Sequence, residues 1–223
     1  MFKSKPRSFV LRKGRVTSAQ RSAIINLWKD YVIEPESEQV KFAEVFSNQN
    51  PVIADIGFGS GDTLLFLAKA NPDINFLGIE VYLSGIGSSL AGAGLNDLKN
   101  IRIINRDADL VMSENILKGS LDGIVLFYPD PWPKRKHHKR RLVQREFLDL
   151  SKTALKKEGF FFCKTDWEDY SNHIIKTFGA SEEWSEKNID ALPSSYSEIP
   201  STTYEKKAIR EGRELTKLIY RVL

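Results

Sequence analysis

The sequence predicts an α/β protein with a Rossmann-like, mostly parallel twisted sheet, helices on both faces of that sheet and a short basic N-terminal extension. Three observations predict this fold. Apolar, β-rich runs alternate with spacers of helix-plus-loop length, a glycine-rich turn follows the first run, and acidic residues stand where successive runs end. Such alternation is typical of parallel strands joined by crossover helices. The runs cover 52–56, 75–81, 101–105, 121–128 and 158–163, and a last apolar run at 215–223 predicts a further strand.

The pattern of apolar residues describes two elements in more detail, one strand and one helix. Residues 121–128 are almost continuously apolar after Asp122, which is typical of a central strand covered on both faces. Ahead of the strands, residues 18–31 predict a helix, because apolar residues recur at helical spacing and Thr17 or Ser18 can cap its start. We expect this helix to pack on the core of the sheet.

The length of 223 residues fits one domain with a short appendage. We expect a basic N-terminal arm and helix over 1–31 and a single domain over 32–223. No apolar run approaches the roughly 18 residues that span a bilayer, and the N-terminus lacks the apolar stretch of a secretory signal. The cytoplasm is the expected compartment. Cys163 and three histidines offer neither an internal disulfide nor a conventional zinc site, so no metal is expected.

The formal net charge of +4 is unevenly distributed. Residues 1–21 carry seven Lys or Arg and no acid, and residues 134–145 carry seven more and no acid. Such patches usually face polyanions, which predicts an RNA partner. The alternative interpretation is a disordered tail and a solvated helix face, which is the usual behaviour of charge runs.

A glycine-rich turn, ADIGFGSGD, follows the first predicted strand at residues 54–62. Gly57, Gly59 and Gly61 allow a sharp turn and let a ligand lie against the backbone, where a Cβ would intrude. Their G-x-G-x-G spacing differs from the G-x-G-x-x-G of dinucleotide folds. Asp55 precedes them, and a carboxylate is a poor neighbour for pyrophosphate but a good acceptor for an ammonium group. The turn therefore favours a cofactor with a methionine moiety over a nicotinamide dinucleotide.

Further acids stand where the second and third predicted strands end. Glu80 closes the second strand, where a carboxylate can accept both ribose hydroxyls of a nucleoside. Asp107 follows the third strand, where it can meet an adenine amino group. Each acid alone is equally typical of a helix N-cap or a loop. Together with Asp55 at successive strand ends, they predict a site for S-adenosylmethionine.

The fourth strand runs into the loop YPDPWPKRKHHKRR, residues 128–141, which must emerge beside the glycine-rich turn. Its three prolines fix the backbone around Asp130 and Trp132. An aspartate can accept hydrogen bonds from N1–H and the exocyclic amine of guanine, and a following cation can hold O6 or a phosphate. Trp132 either stacks on an extruded base or anchors the loop by packing. The loop therefore predicts a guanine-binding site.

Two chemistries fit such a site. Guanine N7 has an in-plane lone pair and loses no proton before attack, so positioning and electrostatics would suffice. The alternative is methylation of an exocyclic amine, which uses an Asn/Asp-Pro-Pro-Tyr loop, but here Trp132 displaces the second proline. A nicotinamide oxidoreductase and a non-catalytic RNA-binding module are the other classes considered. The glycine spacing disfavours the first, and the presence of all the strand-end acids disfavours the second.

Polar residues near the same sheet edge are further candidates. Asp166 follows the fifth strand and predicts either a second base reader or a helix N-cap. His137 and His138 lie among cations that disfavour their protonation, so we expect them to face RNA rather than to act in catalysis.

The sequence resembles the bacterial tRNA (guanine-N7-)-methyltransferases over nearly its whole length. The motifs that carry the resemblance are RSFVLRKGR, ADIGFGSGD, GIE, RDAD, DPWPKRKHHKRR, KTD and TTYE. The resemblance implies a class I methyltransferase fold and methyl transfer from S-adenosyl-L-methionine to N7 of a guanine in the tRNA variable loop. Another RNA guanine or an exocyclic amine is the alternative target. A monomer and a homodimer both fit the sequence.

The resemblance also implies roles for individual residues. Cofactor binding is implied for Asp55, Glu80, Asp107 and Asp130, with Asp130 also the active-site residue. Contacts to tRNA are implied for Lys134, Asp166 and the segment that comprises Thr202, Thr203, Tyr204 and Glu205, which the residue pattern alone indicates only as a polar loop. Two departures concern Asp55, where relatives often carry Glu, and Tyr128-Pro129, where others have Phe-Ser or similar pairs. Both bear on the hydrogen bonds to the cofactor.

Overall fold

The computed structural model describes residues 7–9, 15–35 and 38–223, and its centre is a seven-stranded sheet. The strands are β1 (Val52–Ile56), β2 (Asn75–Ile79), β3 (Ile101–Ile104), β4 (Leu121–Phe127), β5 (Leu155–Thr165), β6 (Trp184–Lys187) and β7 (Thr216–Val222). Every strand predicted from the sequence is present, with ends that differ by no more than three residues. Strand β6 was not predicted.

Eight α-helices are described within these residues. They are α1 (Ser18–Tyr31), α2 (Phe42–Phe46), α3 (Asp62–Ala70), α4 (Leu83–Leu95), α5 (Ala108–Leu110), α6 (Arg145–Ala154), α7 (Glu168–Gly179) and α8 (Thr203–Arg210). A π-helical turn follows α5 at Val111–Asn115, and a 3-10 helix covers Arg135–Arg140. No helix in the described part of the chain is both long and apolar enough to cross a membrane.

The strand order is β3-β2-β1-β4-β5-β7-β6. Strands β1 to β5 pair in parallel, while β7 runs antiparallel to both β5 and β6. The chain order reverses at β1, which lies between β2 and β4. Parallel strands that diverge from such a reversal leave a crevice at their carboxyl ends. The fold thus places the glycine-rich turn and the loop after β4 beside each other.

Each face of the sheet buries its own apolar cluster. One cluster joins strand residues such as Ala54 and Phe161 to α6 and α7. The other joins Ile53 and Phe162 to α1, α3 and α4. Successive strand residues point to opposite faces, so strands covered on both sides are almost continuously apolar. The predicted Rossmann-like fold with helices on both faces is confirmed.

Helix α1 packs against α4 of the domain. A capping box formed by Thr17 and Gln20 starts α1, as the sequence indicated. Gln20 Nε2 also donates a hydrogen bond of 3.0 Å to Ser88 Oγ on α4. Residues 1–6 and 10–14 of the predicted basic arm lie outside the described residues. The division of the chain at residue 31 stays a prediction.

The turn after β1 depends on a close approach between two helices. Gly61, at the start of α3, has φ of +86°, and a Cβ added there would lie 1.9 Å from Ser89 Oγ on α4. A Cβ on Gly85 would lie 2.2 Å from the carbonyl oxygen of Gly59. Glycine at these positions therefore lets α4 contact the turn directly.

Replacing Gly61 with alanine is expected to destabilise the fold more than the same change at Gly119. Both glycines have positive φ, and a Cβ on Gly119 would meet no atom within 4 Å. The left-handed backbone costs an alanine about 1–2 kcal/mol at either position. The collision with Ser89 should add about 1–3 kcal/mol to the Gly61→Ala change only. Urea unfolding measures both changes in free energy, and equal losses would contradict the close approach.

Candidate active site

A cavity of about 700 Å³ opens where β1, β2 and β4 end. This volume lies within the range of about 300–1,000 Å³ that is usual for small-ligand pockets. Its wall includes most of the residues that the sequence singled out: Asp55, Gly57, Gly59, Glu80, Asp130, Thr202, Thr203 and Tyr204. The fold therefore brings together residues that lie far apart in the chain.

The glycine-rich turn leaves its backbone open to this cavity. Gly57 and Gly59 have φ of +68° and +59°, and a Cβ on either would meet no atom within 4 Å. The conformation thus requires glycine, while the space beside it stays free for a ligand. Gly61 does not line the cavity, and its role in the turn is the contact with α4.

Asp55 is a buried carboxylate with an unmatched oxygen. Its side chain is only 3% exposed, and its Oδ2 has no hydrogen-bond partner among the described residues. Burial, reinforced by the nearby Glu80, raises the pKa of Asp55 to about 7. A buried carboxylate without a partner is unfavourable, so a cation bound in the cavity would satisfy it.

Glu80 connects the end of β2 to the glycine-rich turn. Its Oε2 accepts a hydrogen bond of 2.9 Å from Gly59 N. Its Oε1 accepts bonds of 2.6 and 3.1 Å from the backbone N–H groups of Val81 and Tyr82. Burial raises the pKa of Glu80 and the charge of Asp130 adds to this, while the three backbone bonds offset only part of the effect. Glu80 and Asp130 are therefore electrostatic neighbours.

Asp107 is the N-cap of α5, which was one of its two predicted roles. Its Oδ1 accepts a hydrogen bond of 3.0 Å from Asp109 N. Asp107 does not itself line the cavity, but its neighbours Arg106 and Ala108 do. The cap fixes the backbone between these two residues of the cavity wall.

The loop after β4 has a strained backbone around Asp130. Tyr128 and Trp132 have φ of +54° and +46°, a region that bulky residues seldom adopt. Strained residues persist only where their surroundings hold them, and they are frequent at functional sites. Tyr128 N donates a bond of 2.8 Å to the Lys164 carbonyl oxygen, which ties the start of the loop to β5.

Trp132 anchors the N-terminal segment, which supports the packing interpretation of this residue. Its Nε1 donates a hydrogen bond of 2.8 Å to the Ser8 carbonyl oxygen, and the Arg140 guanidinium lies 3.7 Å from the centre of its ring. Arg140 in turn donates to the carbonyl oxygens of Arg7 and Phe9. Ser8 and Phe9 line the cavity. The sequence did not predict this role for residues 7–9.

Arg141 corrects part of the expectation for the basic segment 134–145. It is only 2% exposed and therefore cannot face RNA. Its Nε donates a bond of 2.9 Å to the Pro131 carbonyl oxygen, and its NH2 donates to the Asp169 carboxylate. The guanidinium also lies 4.9 Å from the centre of the Tyr170 ring. Arg141 thus connects the loop around Asp130 to Asp169 at the start of α7.

The two histidines of the same segment also contact the protein. The ring of His137 meets Trp132 edge-on at 5.7 Å between centroids. Burial, and secondarily the neighbouring cations, lower the pKa of His137, as the sequence indicated. His138 Nε2 lies 3.5 Å from the Asp169 carboxylate. Both side chains are partly buried.

The TTYE segment starts helix α8, where a polar loop was expected. Thr202 and Glu205 form a capping box, with the Thr202 hydroxyl accepting from Glu205 N at 3.1 Å. Thr-x-x-Glu is a sequence signature of a helix start, so this signal could have located α8. Tyr204 is 63% exposed and stacks on Tyr128 with centroids 6.1 Å apart. Glu205 is 5% exposed and points into the protein, to Lys164.

Besides Glu205, the expected tRNA contacts Lys134 and Asp166 lie outside the cavity wall. Lys134 is exposed and directly precedes the 3-10 helix. Asp166 Oδ2 accepts bonds from Arg213 at 2.9 Å (Nε) and 2.7 Å (NH2). Asp166 is not the N-cap of α7, because that position is Trp167. The cavity wall instead includes Lys207, which the sequence did not single out.

Comparison with known proteins places the chain in a family. The sequence profile of a family described as "Putative methyltransferase" matches residues 49–218. The tRNA (guanine-N(7)-)-methyltransferase of Mannheimia succiniciproducens is 39% identical over 221 residues, covering 98% of this chain and 88% of the relative. The enzyme of the same name from Shewanella frigidimarina is 38% identical over 217 residues, covering 97% and 91%.

A solved structure supports the fold independently. The crystal structure of the 16S rRNA methyltransferase KamB superposes with a TM-score of 0.59 at 14% identity, covering 81% of this chain and 92% of that one. At this identity the likeness concerns the fold alone. Because the two sequence relatives match over nearly their whole lengths and the fold is that of class I methyltransferases, the protein is a methyltransferase of the tRNA (guanine-N(7)-)-methyltransferase family.

Proposed function

We propose that the protein transfers a methyl group from S-adenosyl-L-methionine to N7 of a guanine in the variable loop of tRNA. One observation carries the proposal. A single cavity at the reversal of the sheet joins Asp55 on β1 and Glu80 after β2 to Asp130 and to the start of α8. A cofactor half and a base half of one site thus share the same space, which methyl transfer requires.

The cofactor half fits the charges of S-adenosylmethionine. Asp55, with its unmatched buried oxygen, would accept the ammonium of the methionine moiety. Glu80 would accept the ribose hydroxyls, and Asp107 would lie near the adenine amino group. Gly57, Gly59 and Gly61 shape the turn against which the cofactor lies. When bound, the cofactor supplies a methyl group on a positively charged sulfur.

The base half fits a guanine that is methylated at N7. We propose Asp130 as the catalytic residue, which orients the base and faces the positive charge that develops on its ring. N7 presents a lone pair, so no protein group has to remove a proton first. Thr202, Thr203 and Tyr204 would form the wall beside the base. The rest of the tRNA would contact Lys134, Asp166 and the TTYE segment, the last through Thr202, Thr203 and Tyr204, because Glu205 is buried.

The same proposal covers the binding of tRNA phosphates, the compartment, the oligomeric state and the division into domains. The basic arm, with the exposed cations of 134–145, would bind tRNA phosphates, so binding should weaken steeply with salt. We place the enzyme in the cytoplasm, as a monomer or homodimer, with residues 32–223 as the methyltransferase domain and 1–31 as an RNA-binding extension.

Methyl incorporation into unmodified tRNA transcripts tests the function. Transfer from labelled S-adenosylmethionine is expected with a normal transcript and not with one that carries 7-deazaguanine in the variable loop, because the latter lacks N7. Transfer to both transcripts would move the target to another atom or nucleotide. Transfer to neither, with cofactor binding intact, would contradict the proposal.

Two aspartate variants complete this test. Asp130→Asn should lower kcat by about 10²–10³, which is the usual effect of removing one electrostatic stabiliser of a transition state. Asp73→Asn neutralises an exposed acid that does not line the cavity and should leave kcat unchanged. Equal activity of the two variants would exclude Asp130 from catalysis.

Cofactor binding is expected to depend on pH through Asp55. Because its pKa is about 7, the carboxyl is protonated below that pH and must lose a proton to accept an ammonium. The affinity should therefore rise about tenfold per pH unit up to pH 7 and fall again above about pH 8, as the ligand's amino group deprotonates. Isothermal titration calorimetry across this pH range measures the affinity for S-adenosylmethionine. Asp55→Asn should bind weakly and lose the rise below pH 7, so a rise that persists in this variant would assign it to another group.

The two kinds of cation in segment 134–145 should separate in mutagenesis. Arg141→Met leaves the Pro131 carbonyl without its buried donor and should cost about 1–3 kcal/mol of unfolding free energy. Lys139→Met removes an exposed cation, so it should leave stability unchanged and reduce the slope of log Kd for tRNA against log salt by about 1. Filter binding at several salt concentrations and urea unfolding measure these effects. A reversed pattern would place Arg141 at the RNA surface.

A further inference from the structure

Three segments meet in a buried polar contact beside the cavity. Lys164 is the penultimate residue of β5, Tyr128 starts the loop after β4, and Glu205 lies in the first turn of α8. Lys164 and Glu205 are only 4% and 5% exposed, and Lys164 Nζ lies 3.3 Å from Glu205 Oε1. Taking such a pair out of water is expensive, and a well-packed apolar pair of similar size is often as stable. Stability alone therefore does not explain this contact.

The oxygens of Glu205 are already occupied by the protein. Oε1 accepts from Lys164, and Oε2 accepts a bond of 2.9 Å from Thr202 N in the capping box. Burial acts against the charged form of Glu205, but the neighbouring Tyr128 hydroxyl, the Thr202 bond and Lys164 outweigh it and lower the pKa of Glu205. A carboxylate with these partners, outside the cavity wall, is not placed to bind a base.

Lys164 is held from its other sides by aromatic rings. Its ammonium lies 4.6 Å from the centre of the Phe127 ring and 5.7 Å from that of Phe162. Burial lowers the pKa of Lys164, and Glu205 acts in the opposite direction. The ammonium is therefore confined to one position at the end of β5, with Glu205 as its only ion-pair partner among the described residues.

Tyr128 connects this buried contact to the cavity. Its backbone N–H is bonded to the Lys164 carbonyl, and its strained φ of +54° has to be held in place. Its ring stacks on that of Tyr204 at an interplanar angle of 14°. Asp130 follows two residues later and lines the cavity. The position of Tyr128 thus affects both the aromatic wall and the proposed catalytic carboxylate.

We propose that Glu205 is a positioning residue that, through Lys164 and Tyr128, fixes the start of α8 relative to the loop that carries Asp130. It thereby sets how the guanine lies against the methyl donor without touching the base. The inference rests on the proposed function and deepens it. It also gives Glu205 a role distinct from that of Thr202, Thr203 and Tyr204, which line the cavity.

Single-turnover methylation tests this role, at saturating tRNA and cofactor, in Glu205→Gln, Lys164→Met and the double variant. Glutamine keeps the size of the side chain and can still form a capping box. Each single variant should lower the single-turnover rate at least tenfold. The Kd values for tRNA and for S-adenosylmethionine should stay within threefold, because the phosphate contacts, Asp55 and Glu80 are unchanged. Glu198→Gln, which neutralises an exposed acid, is the matched control and should keep the full rate.

The double variant separates positioning from stability. It leaves neither ion buried alone, so its melting temperature should lie above those of both single variants, while its methylation rate stays at least tenfold low. Recovery of the rate together with stability would reduce the pair to a structural contact and overturn the proposal. Full activity of Lys164→Met beside an inactive Glu205→Gln would instead indicate direct contact between Glu205 and substrate. If the wild-type protein methylates no tRNA, the proposed function fails, and this inference with it.

Discussion

The candidate active site depends on the parallel pairing of β1 with β2 on one side and with β4 on the other. Asp55 on β1 pairs with Gly78 on β2 and with Val125 on β4, so the carboxyl ends of all three strands reach one edge. At this reversal the glycine-rich turn faces the loop that carries Asp130. Each later feature of the site starts from this register.

Buried carboxylates set the electrostatics of that edge. Asp55 and Glu80 are 3% and 6% exposed, and burial raises the pKa of both. Two buried carboxylates held close together are costly in their charged form unless they meet a cation. A cofactor with a positively charged sulfur and an ammonium group relieves this cost, whereas a pyrophosphate would increase it. The acids thus disfavour a dinucleotide and favour a cationic cofactor.

The loop with Asp130 is held by side chains that themselves face the protein. Arg141 donates a hydrogen bond to the Pro131 carbonyl oxygen. Trp132 and Arg140 bind the backbone of residues 7–9. The ion pair of Lys164 and Glu205 lies beside Tyr128. These residues belong to motifs rich in cations and acids, and residues of such motifs are expected from the sequence to be exposed. Their burial means that part of the charge serves rigidity, because a reacting base must be held in one orientation.

The sequence by itself determined the order of the strands along the chain, the glycine-rich turn and the acids at the ends of β1 and β2. These features are local, since periodicity, φ and strand ends depend on neighbouring residues. Helix α8 was missed although its Thr-x-x-Glu signature was present, and β6 was missed because its four residues pair only with the distant β7. Only the tertiary structure decided that Arg141 is buried, that Trp132 anchors residues 7–9 and that Glu205 faces Lys164 and not the cavity. These outcomes depend on contacts between residues far apart in the chain, which residue type and spacing do not specify.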